Sequence, residues 1–418
     1  MSDQTLATAQ RPENPRNGKL LSSLSLSNDA LFSLRRGLAI LCLVDCLQRA
    51  TVAELFYSDL GLLPRYRAHL LLLGTSKMSL HLISGWPAIM AALLIVTALT
   101  AASVLRGSDH RWHRVALWAL MMSAANRNPL STDSADDLLR LLLFWDIFLP
   151  NRAQAGPGQR TLAPATLGYQ AQLSIGLLGS ALVLGNPTRT EPPIAFGTLG
   201  HPPTWLGSTE AMVFGLGALC LWNRSLRRPW LACLAAVLLL RAATLHPAFP
   251  LTLGVACIGL WEPTPVSQEK LPIINFAPWS CGLALWVTLV AGWSALAPAS
   301  NNSFTWPLKT SAEVLGLHQD WSQIYPLPLP VTRAEFLRRD NRKPLLVLGP
   351  EQGRRAALFS QRLAGQPRVA ASTLDAQAIQ SGSGGPVDLW LVQEKVNPDF
   401  RLSRTRRTLA ASSLRSPR

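Results

Sequence analysis

Asp45 and Arg49 stand four residues apart inside Arg36–Glu54, a run whose other interior residues carry no charge. On a helix this spacing puts a carboxylate and a guanidinium on one face. There they neutralise each other, an arrangement hydrocarbon favours strongly over two lone charges. Two readings follow: an ion pair that orients the helix toward its neighbours, which carries more weight, and a buried polar site. Asp146 sits among Phe144, Trp145, Ile147 and Phe148, with no partner read within its own helix. Arg241 and His246 share the long apolar run Trp230–Trp261 and are the candidates to meet it. These five residues are the first candidates for an internal polar cavity, and one sequence does not say which spans pair. Cys42 and Cys46 have the same spacing but no further ligand nearby, so small apolar packing is their reading. His110 and His113 lie in a basic loop without an HExxH-type set, and no metal site is expected.

The elements that must hold these residues are apolar. Only 15% of the 418 residues are charged and 48% are hydrophobic, against about 25% charged in an average soluble chain. The six cysteines all fall within apolar runs, which excludes a disulfide-stapled secreted scaffold. Crossing a bilayer takes about 20 mostly apolar residues. Candidate spans are Arg36–Glu54, Ser84–Leu105, Trp112–Ala125, Leu138–Pro150, Leu167–Gly185, Thr209–Trp222, Trp230–Trp261 and Trp279–Ala297. As a single helix Trp230–Trp261 would be about 48 Å long. Pro247 and Pro250 interrupt it, so it is one bent crossing or two short ones. The expected fold is an all-α polytopic membrane bundle of eight or nine transmembrane helices. Small residues at Gly176/Ser180 and Ala181/Gly185 favour close packing of the fifth span on a neighbour.

No cleavable signal is visible in the polar first 30 residues, where Arg11, Arg16 and Lys19, followed by Arg35 and Arg36, favour a cytoplasmic N-terminus. Arginine-rich, lysine-poor usage fits a bacterial cytoplasmic (inner) membrane. The expected domains are a polar segment 1–30, a membrane domain 31–298, a juxtamembrane element 299–330, a small α/β domain 331–400 and a disordered basic end 401–418. In the tail, Lys343–Gly349 and Val387–Gln393 read as strands and Glu351–Ala364 as an amphipathic helix. The net charge of +15 invites a nucleic-acid reading. No aromatic platform accompanies the tail's arginines, however, so no nucleic-acid partner is expected. Gly349–Arg355 follows a strand as phosphate loops do, but it lacks the GK[ST] ending and contains Pro350.

Four stretches in order resemble the HTTM (horizontally transferred transmembrane) family, which is related to vitamin K-dependent γ-carboxylase. They are Arg36–Leu41 running to Phe56-Tyr-Ser-Asp-Leu-Gly61 and Pro64-Arg65; Ser79-Leu-His81 to Gly85; Asn126-Arg127-Asn128-Pro129 through Asp136, Asp137 and Arg140 to Pro150; and Leu315 to Trp321 and Pro326. The physical reading of these stretches is mostly structural. Gly61 and Pro64 suit a tight turn, while Asn128-Pro129 and Asp133 are turn and cap residues. Asp136 and Asp137 stand where the helix dipole favours acids.

The resemblance implies nine spans, an extracytoplasmic tail and, in the carboxylase relatives, oxygenation of a reduced quinone to create a strong base. It would place the base-forming lysine near the end of Leu167–Gly185, a segment holding Gln170, Gln172, Ser174 and Ser180 but no lysine. The six lysines are Lys19, Lys77, Lys270, Lys309, Lys343 and Lys395, none inside a span. The expectation is a non-carboxylating member that binds membrane lipid or a quinone, or partners a second membrane protein. The competing expectation is a carboxylase-like enzyme acting on a reduced quinone, with His81, Asp146 or His246 in place of the lost base. Transport draws no support, since no repeat with paired broken helices is evident.

Overall fold

The computed structural model describes residues 21–315 with breaks at 22, 60, 73–74, 152–158, 186–204, 243–247, 262–272, 275 and 297–305, followed by 317, 331–338, 344–348, 359, 387–396 and 402–411. The chain is mostly helical. Helix α1 (Asn28–Thr51) has Asp29 in its first turn and Arg49 in its last, each opposite the helix dipole of its end. Leu31, Leu34, Leu38, Cys42, Asp45, Cys46 and Arg49 recur along one buried stripe. The outer face carries Ile40, Val44 and Leu47, all exposed. Both faces are thus largely apolar, and Arg35, Asp45 and Arg49 are buried while Arg36 is exposed.

A short helix α2 (Ala53–Tyr57), helix α3 (Arg65–Leu72) and a 3-10 turn (Leu80–Leu82) lead to α4 (Pro87–Leu105). Proline is at home at a helix start, where its missing N–H is not needed. Then come α5 (Arg111–Arg127), a 3-10 turn (Pro129–Ser131), α6 (Ser134–Phe148), α7 (Pro164–Leu184), α8 (Trp205–Cys220), α9 (Arg224–Ala242), α10 (Ala248–Ile258), α11 (Pro278–Leu296) and α12 (Trp306–Val314). Each neighbour from α4 to α10 packs on the next. Helix α4 also packs on α1, and α10 returns to α1 and α6, closing a ring. Helix α11 lies on α7, and α12 on α11.

In their described residues, all eight apolar runs of the sequence are mostly helical. Among the described residues, two helices are long and apolar enough to cross a membrane, Pro87–Leu105 and Pro164–Leu184; Ser208–Cys220 and Ala248–Ile258 are shorter apolar helices. The run Trp230–Trp261 divides between two helices, α9 and α10. The small-residue face of α7 packs as expected: a Cβ at Gly215 of α8 would stand 3.7 Å from the Ala181 Cβ. The close approach that demands glycine lies elsewhere on α7. A Cβ at Gly168 would stand 2.2 Å from the Trp145 ring, so the absence of a side chain there is what lets this large aromatic enter the core.

The end of the N-terminal segment belongs to the bundle rather than to a separate polar region. Strands β1 (Leu26–Ser27), β2 (Arg160–Leu162) and β3 (Ile273–Ile274) form a small sheet in that order, antiparallel then parallel. Gln170 Nε2 donates to the Leu24 carbonyl at 2.8 Å, Arg160 Nε to Ser25 Oγ at 2.8 Å and Arg227 Nη2 to the Ser23 carbonyl at 2.8 Å. Polar composition hid this because long-range side-chain hydrogen bonds, together with the burial of Leu26, fasten the segment.

The tail departs from expectation as well. Strands β4 (Val331–Arg338), β5 (Pro344–Leu348), β6 (Val387–Val396) and β7 (Leu402–Ala411) form an antiparallel sheet of order β5-β4-β6-β7. Two strands were expected; the central β4 was not. Strand β7 corrects the reading of 401–418 as disordered. Its backbone pairs with β6 from Asp388↔Ala411 to Val396↔Leu402, and ladder hydrogen bonds do not depend on the charge of the side chains between them. The helix expected at Glu351–Ala364 lies outside the described residues except at Phe359, as does the loop Gly349–Arg355.

Candidate functional site

Two charged layers sit at opposite ends of α1 and α6, about 21 Å apart by helix rise. In the first, Arg35 Nε donates to Asp146 Oδ1 at 2.9 Å, Nη1 to Asp109 Oδ1 at 2.7 Å and Nη2 to the Pro150 carbonyl at 3.2 Å. Arg114 Nη1 donates to the Asp146 and Leu149 carbonyls at 2.6 and 3.1 Å, and Nη2 to Asn151 Oδ1. Asp146 therefore has a partner, and it is Arg35, which the sequence reading treated as an orientation charge. Arg241 stands in the last turn of α9, and His246 lies outside the described residues. This layer ties helix ends together, with Arg114 Nε left without a hydrogen-bond partner among the described residues.

The second layer is built on Arg49. Its Nε donates to Asp45 Oδ2 at 2.5 Å, Nη1 to Tyr57 Oη at 2.5 Å and Nη2 to Asp136 Oδ1 at 3.0 Å. Asp136 is held by a capping box: Asp133 Oδ1 accepts from the Ala135 and Asp136 amides, and Asp136 Oδ2 accepts from the Asp133 amide at 3.0 Å. The i,i+4 pair Asp45–Arg49 exists as expected. Tyr57 and Asp136, both inside the motif stretches, complete it.

Next to this network lie His81 and Arg127. The His81 amide donates to Ser123 Oγ at 3.1 Å, and its Nδ1 lies 2.7 Å from the same oxygen. Ser79 Oγ donates to the Ser123 carbonyl at 2.7 Å and is only 3.3 Å from Ser123 Oγ. The tautomer in which the Ser123 hydroxyl donates to Nδ1, its nearer acceptor, carries the imidazole proton on Nε2. That Nε2 is buried and has no hydrogen-bond partner among the described residues. Burial, then the charges of Arg49 and Arg127, push the His81 pKa down to about 4, so the ring is neutral at pH 7.

Arg127 ends α5. It is 0% exposed, and Nε, Nη1 and Nη2 all lack a hydrogen-bond partner among the described residues. Beside it Asn128 Nδ2 donates to the Phe56 carbonyl at 3.3 Å. The Phe56 ring is covered by Phe359 of the tail, with ring centroids 5.1 Å apart. A tight turn supports this end of the bundle. The Arg65 amide and Nε donate to Asp59 at 2.8 and 2.6 Å, and a Cβ at Gly61 would stand 2.3 Å from the Leu55 carbonyl oxygen.

Sequence reasoning named His81 as a possible replacement for the lost base and gave Arg127 only as part of a motif stretch, not as a site residue. The signal was its place inside Asn126–Pro129. In α7, Gln170 and Gln172 are buried, and Gln172 has no side-chain partner among the described residues. Among those residues no group of three or more His, Cys, Asp or Glu side chains converges as a metal site. Compared with protein-family models, curated proteins and solved structures, the chain has no match in any of the three. What the fold and site define is a mostly helical chain with two helices, among the described residues, long and apolar enough to cross a membrane, and with charged networks buried within an apolar core.

Proposed function

We propose that this chain is a multi-pass integral membrane protein of the HTTM type, non-carboxylating, that binds a membrane amphiphile, a lipid or a quinone, within its helix bundle. The observation that carries the reading is the inverted distribution of polarity. Leu47, Leu99, Leu239 and Leu285 are each more than 60% exposed, while Arg49, Arg114 and Arg127 are at most 1% exposed. In water such outward apolar faces are a liability; in lipid they are the solvent-facing surface. The motif stretches of the HTTM resemblance also converge, since Tyr57, His81, Arg127 and Asp136 all belong to the second charged layer.

The layers support serial crossings. Asp109, between α4 and α5, meets Arg35 at the start of α1, while His81 and Arg127 lie with Arg49 at its end. The two contacts that tie later chain to this end, Phe359 on Phe56 and the Ser76 amide on Glu313 Oε2 at 2.8 Å, favour nine crossings over eight. With the N-terminus cytoplasmic, the tail and the Arg49 layer lie on the extracytoplasmic side of the inner membrane.

The enzyme alternative needs a base. Asp146 is engaged by Arg35, and burial with the charges of Arg49 and Arg127 disfavours His81 taking up a proton. Binding without carboxylation is the better-supported reading. The test is mass spectrometry of organic extracts from the detergent-purified protein, compared with bulk membrane. A quinone or lipid enriched to near one per chain supports the proposal, and bulk composition alone defeats it.

A further inference from the structure

We propose that Arg127 and His81 form an internal oxyanion site that takes the phosphate or carboxylate group of an amphiphile whose chains lie among the helices. This deepens the reading above by naming the chemistry of the polar end, and it rests on that reading for the amphiphile.

The other buried guanidinium groups of the bundle all find acceptors. Arg35, Arg49 and Arg140 donate to carboxylates, and Arg114, Arg160 and Arg227 to carbonyl and other side-chain oxygens. Arg127 breaks this pattern at zero exposure. Asp59 attracts this guanidinium but is bonded to Arg65, so among the described residues Arg127 has no anion within hydrogen-bond reach, and inside a bundle such a buried group marks a binding site by default. The carboxylates around it are committed: Asp45 and Asp136 to Arg49, and Asp59 to Arg65. His81 Nε2–H adds a fourth unused donor. The field at His81 is positive, set by Arg49 and Arg127, with no carboxylate opposing it among the causes that depress its pKa.

Four donor atoms and a guanidinium with no anion bonded to it among the described residues select the ligand class. A quinone carbonyl accepts hydrogen bonds but leaves the guanidinium charge standing. An oxyanion meets the planar fork of arginine with two parallel bonds and cancels the charge as well. Asn128, next in the chain to Arg127, bonds the carbonyl of Phe56, whose ring packs on Phe359, and Tyr57 interacts with Arg127, so apolar side chains share this end of the bundle with the site.

The test uses the full chain in neutral detergent, with dioleoylphosphatidylglycerol, oleate, uncharged dioleoylglycerol and inorganic phosphate as probes. Retention is read by native mass spectrometry and stabilisation by the thermal midpoint. Wild type is expected to retain the anionic lipids over dioleoylglycerol roughly tenfold or more, the loss expected of one charge-assisted pair. Arg127→Gln abolishes the preference, Arg127→Lys keeps part of it and His81→Leu weakens it. Stabilisation by inorganic phosphate alone identifies a small free anion as the source, and retention of the lipids alone identifies a headgroup; both uphold the site. Equal retention of anionic and neutral lipids by wild type with no stabilisation by inorganic phosphate, or a preference that survives in folded Arg127→Gln, overturns it. If Arg127→Gln does not fold, His81→Leu carries the comparison. A quinone or lipid bound equally by wild type and Arg127→Gln removes the oxyanion site and leaves the binding reading intact. Phosphate stabilisation lost in Arg127→Gln with no amphiphile retained does the reverse.

Discussion

Arg35 and Asp146 face each other across the interior at 2.9 Å, with side chains only 5% and 3% exposed. One stands near the entry of α1 and the other near the exit of α6. The pair therefore fixes two helices against each other at a single end of the bundle. Arg35 also reaches Asp109 and the Pro150 carbonyl, so the arginine holds three connections at once. Such a buried pair does more to specify an arrangement than to stabilise it, because desolvation offsets much of the attraction.

The asymmetry of this network predicts an unequal response to its removal. Asp146→Leu leaves Arg35 paired with Asp109, whereas Arg35→Met leaves the Asp146 carboxylate buried without its guanidinium. Arg35→Met is expected to cost about 3–5 kcal/mol, and Asp146→Leu distinctly less. Thermal unfolding in detergent of both single variants and the double variant measures it. Equal losses in the two single variants would contradict the assigned geometry.

How far each layer was legible in the sequence follows from how local its geometry is. Asp45 and Arg49 are neighbours by helix periodicity alone, so the sequence pairs them. Arg35–Asp146 joins residues from two helices, and nothing in either run names the other. Tyr57, Arg127 and Asp136 stood in recognisable stretches, but their meeting with Arg49 and His81 depends on how α1, α5 and α6 pack. The cap at Asp133 was legible because capping is a three-residue event. Strand β7 was not, since a strand at the edge of a sheet exists only through its partner, and its arginines resembled a solvated end.

Helix packing around Trp145 gives a steric prediction. At Gly168 an added methyl meets a rigid indole at 2.2 Å, so Gly168→Ala is expected to destabilise by about 1–3 kcal/mol despite alanine's better helix propensity. Gly215→Ala, whose Cβ finds the Ala181 Cβ at 3.7 Å, is expected to be neutral or to stabilise by up to about 1 kcal/mol. Shrinking the ring in Gly168→Ala/Trp145→Leu should remove much of the clash. Unfolding midpoints of the three variants decide it.

His81 makes stability depend on pH in a defined window. Its folded pKa of about 4 lies below the ordinary 6.5, because burial and two neighbouring guanidinium charges disfavour the imidazolium. The unfolded chain therefore takes up the proton first as pH falls. The stabilising contribution is full above about 6.5 and is lost progressively between about 6.5 and 4. The unfolding midpoint of wild type should drop across this range, and His81→Gln, which does not titrate, should show a shallower slope. Parallel curves would mean that other groups set the acid response.

Phe359 tests how the tail is fastened. Its ring meets Phe56 with centroids 5.1 Å apart, and both residues are fully buried. An aromatic pair contributes about 0.5–1.5 kcal/mol beyond its area burial. Phe56 belongs to α2, held from the other side by Asn128 through its carbonyl, so it stays in place when its partner is removed. Phe359→Ala should therefore release the tail without melting the bundle. In limited proteolysis, cleavage between residues 331 and 411 is expected to accelerate severalfold, while the helical core keeps its wild-type unfolding midpoint. Phe56→Ala should accelerate the same cleavage and also lower that midpoint, since Phe56 lines the bundle as well as the contact. A tail equally resistant in wild type and Phe359→Ala would show that the stacking does not fasten it.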